Sequence, residues 1–129
     1  MMTLNNNSKK FLAIASFMMA LSIALGAFGA HGLKSIVTDS MLKIYNTGIQ
    51  YQFYNTLGLF FVAFLINFKP QSKKLRISAW LIILGMLIFS CSLYALVLLN
   101  LPILGAITPI GGTLLIVAWL MVTYSLLKD

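Results

Sequence analysis

A chain of 129 residues has the length of one domain, yet 60% of it is apolar and 9% charged, a balance that excludes an ordinary water-soluble core of this size. Nine basic residues against two acidic ones leave a net charge of +7, and their placement between apolar runs excludes nucleic acid as its explanation. With one histidine and one cysteine, and no carboxylate nearer to His31 than Asp39, no internal disulfide, local metal cluster or catalytic triad can be assembled.

Residues 1–8, MMTLNNNS, are polar and read as a disordered lead-in to a single membrane domain over 9–129. The first span covers about 11–30, preceded by Lys9 and Lys10. Lysines, an apolar run and Ala27-Phe28-Gly29 imitate a cleavable secretory signal, but about twenty apolar residues exceed the roughly 7 to 15 of a signal, so the run is read as an uncleaved anchor. Ser22, Gly26 and Ala30 recur every four residues, and Gly29 and Gly32 flank His31. Small residues at that period thin one helix face and let a second membrane helix approach.

The stretch SIVTDSMLKIYN is too polar to span. Thr38 or Asp39 can cap a helix beginning near Ser40, which lies near the membrane surface and continues into the second span, about 47–68. The outer half of that span carries Gln50, Tyr51, Tyr54 and Asn55, which with Thr47 and Gly58 fall within about 140° of arc. This predicts a polar face towards the bundle, with Ile49, Phe53, Leu57 and Phe60 towards lipid and Gln52 and Thr56 outside the pattern. For Tyr51 an interfacial aromatic belt is the competing reading.

Asn67 to Arg76 is a short turn marked by Pro70 and Lys73-Lys74, so the third span, about 77–99, returns antiparallel to the second. Its polar residues Ser90, Ser92 and Tyr94 lie in the same half as the cluster on span two, and Cys91 reads as a small buried apolar residue. Asn100-Leu101-Pro102 turns the chain into the last span, about 104–127. Thr108 is placed to cap a helix with Pro109 in its first turn, leaving 104–107 irregular; the alternative is one kinked helix from Ile103.

The fold class expected is therefore all-α, a four-helix transmembrane bundle with a short interfacial helix between spans one and two. Lys9, Lys10, Lys69, Lys73, Lys74, Arg76 and Lys128 fall on one side of it, against Lys34 and Lys43 on the other. The positive-inside rule then puts both termini in the cytoplasm. His31, Gln50, Tyr51, Tyr54, Asn55, Ser90, Tyr94 and Thr108 gather in the outer half, as a polar pocket or as a closed hydrogen-bond network. Ser22, Gly26, Gly29, Ala30, Gly32, Gly105 and Gly112 are the candidate helix-packing positions.

Four motifs, GAFGAHGL at 26–33, YQFYN at 51–55, FSCSLY at 89–94 and LGAITPIGG at 104–112, resemble in order and spacing a family of small bacterial inner-membrane proteins known as domain of unknown function 423. The resemblance covers nearly the whole chain and implies a four-helix protein of the bacterial cytoplasmic membrane without an assigned activity. Two positions depart from the family pattern: Asn55 stands where histidine is common and Cys91 where glycine is usual. A paired-histidine haem or metal site within one chain is thereby excluded.

Three classes of function can be set against these residues. A structural or accessory protein needs only thin faces and a hydrogen-bond network, with the bilayer, a second copy or another membrane protein as partner. A small-solute or lipid carrier would use the outer polar cluster, without a buried carboxylate to couple protons. An enzyme lacks a nucleophile, base and orienting group, and no cofactor or metal is expected.

Overall fold

The computed structural model describes residues 3–128. Four long helices follow one another: α1 (Asn6–His31), α2 (Asp39–Phe68), α3 (Lys73–Leu99) and α4 (Thr108–Lys128), each long and apolar enough to cross a membrane. Short 3₁₀ turns at Leu33–Ser35 and Pro102–Ala106 complete the connections.

Local signals set most of the helix ends. α1 begins within the lead-in that was expected to be disordered, because Asn5 caps it by accepting from the Ser8 N–H at 2.8 Å. The backbone N–H of Asn5 also donates to Asn67 Oδ1 at 2.8 Å and its Nδ2 to the Ile66 carbonyl at 3.1 Å, tying the start of α1 to the end of α2. Residues 1 and 2 of that lead-in lie outside the described residues. Thr38 caps α2, accepting from the Met41 N–H. The expected interfacial helix is the first turns of this one uninterrupted 30-residue helix, roughly 45 Å long. Ser72 caps α3 through the Leu75 N–H, which starts the helix before the expected residue 77.

α3 ends on Asn100, whose left-handed backbone (φ 52°) closes the helix with a Leu101 N–H to Leu96 carbonyl bond. Asparagine tolerates that conformation, and Pro102 prevents resumption of α3. Residues 102–106 are then wound as a 3₁₀ turn, not irregular, and bonds from Ile107 to Leu104 and from Ile110 to Ile107 run the turn into α4. Apolar backbone near the membrane edge thus satisfies itself. Thr108 is consequently the first residue of α4 and is not its cap.

Consecutive helices are antiparallel neighbours: α1 packs on α2, α2 on α3, and α3 on α4, with α3 the most enclosed. All basic residues except Lys34 and Lys43 collect at the end formed by the start of α1, the α2–α3 turn and the end of α4. Two apolar clusters fill the interior. The larger, with Phe11, Met18, Leu59, Ile66, Ile82 and Val122 among its members, lies towards this basic end. The smaller, with Leu33, Tyr45, Tyr94, Leu96 and Val97, lies at the other. Buried serines also occur at the basic end: Ser8, Ser78 and Ser125 sit there, Ser8 donating to the Ala63 carbonyl and Ser78 to that of Lys74.

Candidate polar site between the helices

Between the two apolar clusters lies a layer of neutral polar groups. Gln52, on α2, is its centre and is 3% exposed. Its Oε1 accepts from the Tyr94 hydroxyl of α3 at 2.6 Å, and its Nε2 donates to the Met18 carbonyl of α1 at 3.2 Å. One turn away Ser90 donates to the Gly48 carbonyl at 2.7 Å. Thr56, fully buried, donates to the Met86 sulfur at 3.3 Å.

On the α4 side the Trp119 indole N–H donates to Asn55 Oδ1 at 3.0 Å, and Asn55 Nδ2 returns a bond to the Tyr51 carbonyl. Ser92 and Thr108 share a 2.6 Å hydrogen bond between α3 and the start of α4. At the far end the Tyr45 hydroxyl donates to the Leu25 carbonyl of α1. Among the described residues Ser22 Oγ is the buried side-chain atom left without a partner.

These contacts are possible because glycines admit the rings. Gly29 faces Tyr45, Gly48 faces Tyr94, and Gly58 faces Trp119, and a Cβ at any of the three would overlap the ring. Gly85 and Gly111 instead bring the backbones of α3 and α4 together, since a Cβ on Gly111 would stand 2.8 Å from the Gly85 carbonyl oxygen. In lipid, where apolar surface gains little by leaving its surroundings, such close approach and interhelical hydrogen bonding hold helices together.

The expected site is brought together only in part. Asn55, Ser90, Tyr94 and Thr108 join the buried layer. His31, Gln50 and Tyr54 do not: His31 ends α1 in solvent-exposed position, Gln50 is exposed, and Tyr54 is 58% exposed. Tyr51 is 42% exposed, its ring stacked on Phe89 at 4.5 Å between centroids. Of the polar face assigned to α2, Gln50, Tyr51 and Tyr54 are therefore turned outward, while Asn55 and Gly58 face α4. The inward face is Tyr45, Gly48, Gln52, Asn55, Thr56 and Leu59, which includes the two residues set aside from the sequence pattern. Their alternating three- and four-residue spacing around a glycine is the signal that marks a helix seam.

The packing positions divide similarly. Ser22 and Gly29 are buried against α2, whereas Ala30 and Gly32 are exposed. Gly26, Gly105 and Gly112 make only ordinary contacts, with Ile49, Leu96 and Phe89. Besides Gly29, the tight contacts fall on Gly48, Gly58, Gly85 and Gly111, none of which stands among the expected packing positions.

The layer contains amides, hydroxyls and an indole, and each buried member but Ser22 is bonded to another helix or to its own backbone. It can fix helix register; it presents no aligned acid and base.

Comparison with protein families matches residues 25–112 to the family described as "Protein of unknown function (DUF423)". The UPF0382 membrane protein YwdK of Bacillus subtilis (strain 168) is 41% identical over 93% of this chain and 98% of its own length. A UPF0382 membrane protein of Staphylococcus haemolyticus is 39% identical over 93% and 97%, and one of Haemophilus influenzae 38% over 93% and 95%. No solved structure matches.

Proposed function

Because the chain belongs to the DUF423 family of membrane proteins of unknown function, we propose that it is a structural or accessory protein of the bacterial cytoplasmic membrane, working through helix association and not as an enzyme. One observation carries this reading. The polar groups inside the chain, Ser22 apart, are bonded to another of its helices or to their own backbone, while the side chains of Asn46, Gln50 and Tyr54, four residues apart on the outward face of α2, make no hydrogen bond with the described residues. Counted from Thr47, Gln50 and Tyr54 lie roughly 5 and 10 Å inside the spanning segment. Amides and hydroxyls at that depth are costly against hydrocarbon and are satisfied by a polar face on a second helix, from another copy or another membrane protein.

Cross-linking in native membranes tests this. A cysteine at Gln50 in a Cys91→Ser background is expected to give an adduct heavier than the monomer, and a cysteine at the exposed Phe17 of α1 is not. A strictly monomeric protein at both positions overturns the reading.

A second reading, a binder of lipid or a small solute, is supported by an open furrow of about 580 Å³ between α2 and α4, lined by Tyr51, Asn55, Phe89, Leu115 and Trp119. Its walls suit an apolar chain. Trp119 emission in a Trp80→Phe background reports its occupancy. Quenching by a brominated acyl chain that survives dilution into unlabelled lipid supports this reading, and immediate loss of quenching opposes it.

The excess of basic residues at one end supports a topology with both termini in the cytoplasm. A C-terminal fusion to alkaline phosphatase is expected to be inactive and one to green fluorescent protein to fluoresce. An active phosphatase fusion reverses the assignment.

A further inference from the structure

The α2–α3 turn encloses an open recess of about 530 Å³ lined by Lys69, Pro70, Gln71, Ser72, Lys73 and Lys74. We propose that this recess binds the phosphate of an anionic phospholipid. Three lysines line it, and neither Lys69 nor Lys73 has a carboxylate partner among the described residues; Asp39 lies at the opposite end of the protein. Lys69 and Lys73, two cations without a carboxylate partner at one recess, gain from a shared anion.

The turn is held in one shape before any ligand arrives. The Ser72 N–H bonds the Lys69 carbonyl at 3.0 Å, Arg76 donates to the Pro70 carbonyl at 3.0 Å, and the Ser72 hydroxyl meets that of Ser125 on α4 at 3.1 Å. The lysines are therefore not spread on a flexible tail. Lys10 and Lys74 rest over the rings of Trp80 and Tyr124, at 5.1 and 5.5 Å from their centroids, which distinguishes them from Lys69 and Lys73.

The position favours a lipid over free phosphate. The recess begins where two spanning helices end, at the level of the headgroups. Phe64 and Phe68, packed edge to face at 4.8 Å and both exposed, occupy the last turn and a half of α2 before Lys69. An anionic headgroup in the recess leaves its acyl chains beside these rings.

The test uses the full chain in neutral detergent, offered phosphatidylglycerol, phosphatidylcholine or inorganic phosphate, with bound species read by native mass spectrometry. Phosphatidylglycerol is expected to be retained over phosphatidylcholine, and K69Q/K73Q to lower its retention roughly tenfold or more. The charge-matched K9Q/K128Q, which alters two exposed lysines of the same end, is expected to retain it within about twofold. Unchanged retention in K69Q/K73Q overturns the proposal. Equal loss in both variants replaces it with the diffuse field of the basic end, and binding of inorganic phosphate without lipid overturns the choice of a phospholipid. Circular dichroism melting of both variants at the wild-type temperature establishes that the comparison is between folded proteins.

Discussion

The Tyr94 hydroxyl donates to Gln52 Oε1 at 2.6 Å while Nε2 of the same amide donates to the Met18 carbonyl at 3.2 Å, so one side chain of α2 is fastened to both neighbouring helices. Tyr94→Phe keeps the ring in its Gly48 socket and removes only the donor. A loss of about 0.5 to 1.5 kcal/mol is expected for it and a larger loss for Gln52→Leu, which removes both bonds. Reversible unfolding in mixed micelles measures both, and a double-mutant cycle isolates the pair. Equal stabilities for wild type and Tyr94→Phe would remove the bond from the account.

Glycines give a sharper contrast. A methyl group at Gly111 meets the backbone of Phe89 and Gly85, which cannot yield as a side chain can, and one at Gly58 meets the Trp119 ring. Gly111→Ala is expected to destabilise by about 2 kcal/mol or more despite the gain in helix propensity. Gly112→Ala, beside it in sequence and with Phe89 Cδ2 no nearer than 3.6 Å, is expected to be neutral or stabilising by up to about 1 kcal/mol. The same micelle unfolding ranks the two, and the opposite order would mean that α3 and α4 do not meet at Gly85 and Gly111.

Asn5 joins a cap to two bonds across helices, with Asn67 and the Ile66 carbonyl. Asn5→Ala is expected to cost about 1 to 2 kcal/mol, through the cap and the bond to Ile66. Hydrogen exchange of the amides in the first turn of α1 should accelerate while α3 stays protected. An unchanged exchange pattern counts against the clamp.

Substitutions on the outward face of α2 separate folding from association. Gln50→Leu with Tyr54→Phe is expected to leave unfolding of the monomer within about 0.5 kcal/mol of wild type while lowering the yield of the cross-linked species. His31→Ala, at an exposed helix end, should change neither. Blue-native electrophoresis beside the unfolding measurement distinguishes these outcomes, and loss of monomer stability in the first variant would place its side chains inside the protein.

Helix count, approximate length and ends were legible because each depends on local or transfer terms: twenty-residue apolar runs, a capping Thr38, a Pro70 turn, lysines at the edges. Asn5 was misjudged because its value comes from partners 61 and 62 positions away, which no local pattern exposes. Half of the expected polar cluster lies inside the bundle and half outside, for a related reason. Asn55, Ser90, Tyr94 and Thr108 lie where any rotation of their helices near the seam would bring them inward, whereas Gln50 and Gln52 exchange roles if α2 is turned the other way.

From sequence alone it is determined that this chain crosses the membrane as four helices with its basic residues gathered at one end, because water, hydrocarbon and charge distinguish those segments one at a time. Which side of each helix is interior was decided only by tertiary structure. Lipid and protein interior are both apolar, so hydrophobic periodicity carries no sign here; the choice falls to the fit of Tyr45, Tyr94 and Trp119 against Gly29, Gly48 and Gly58, and to the hydrogen bonds that this fit brings within reach.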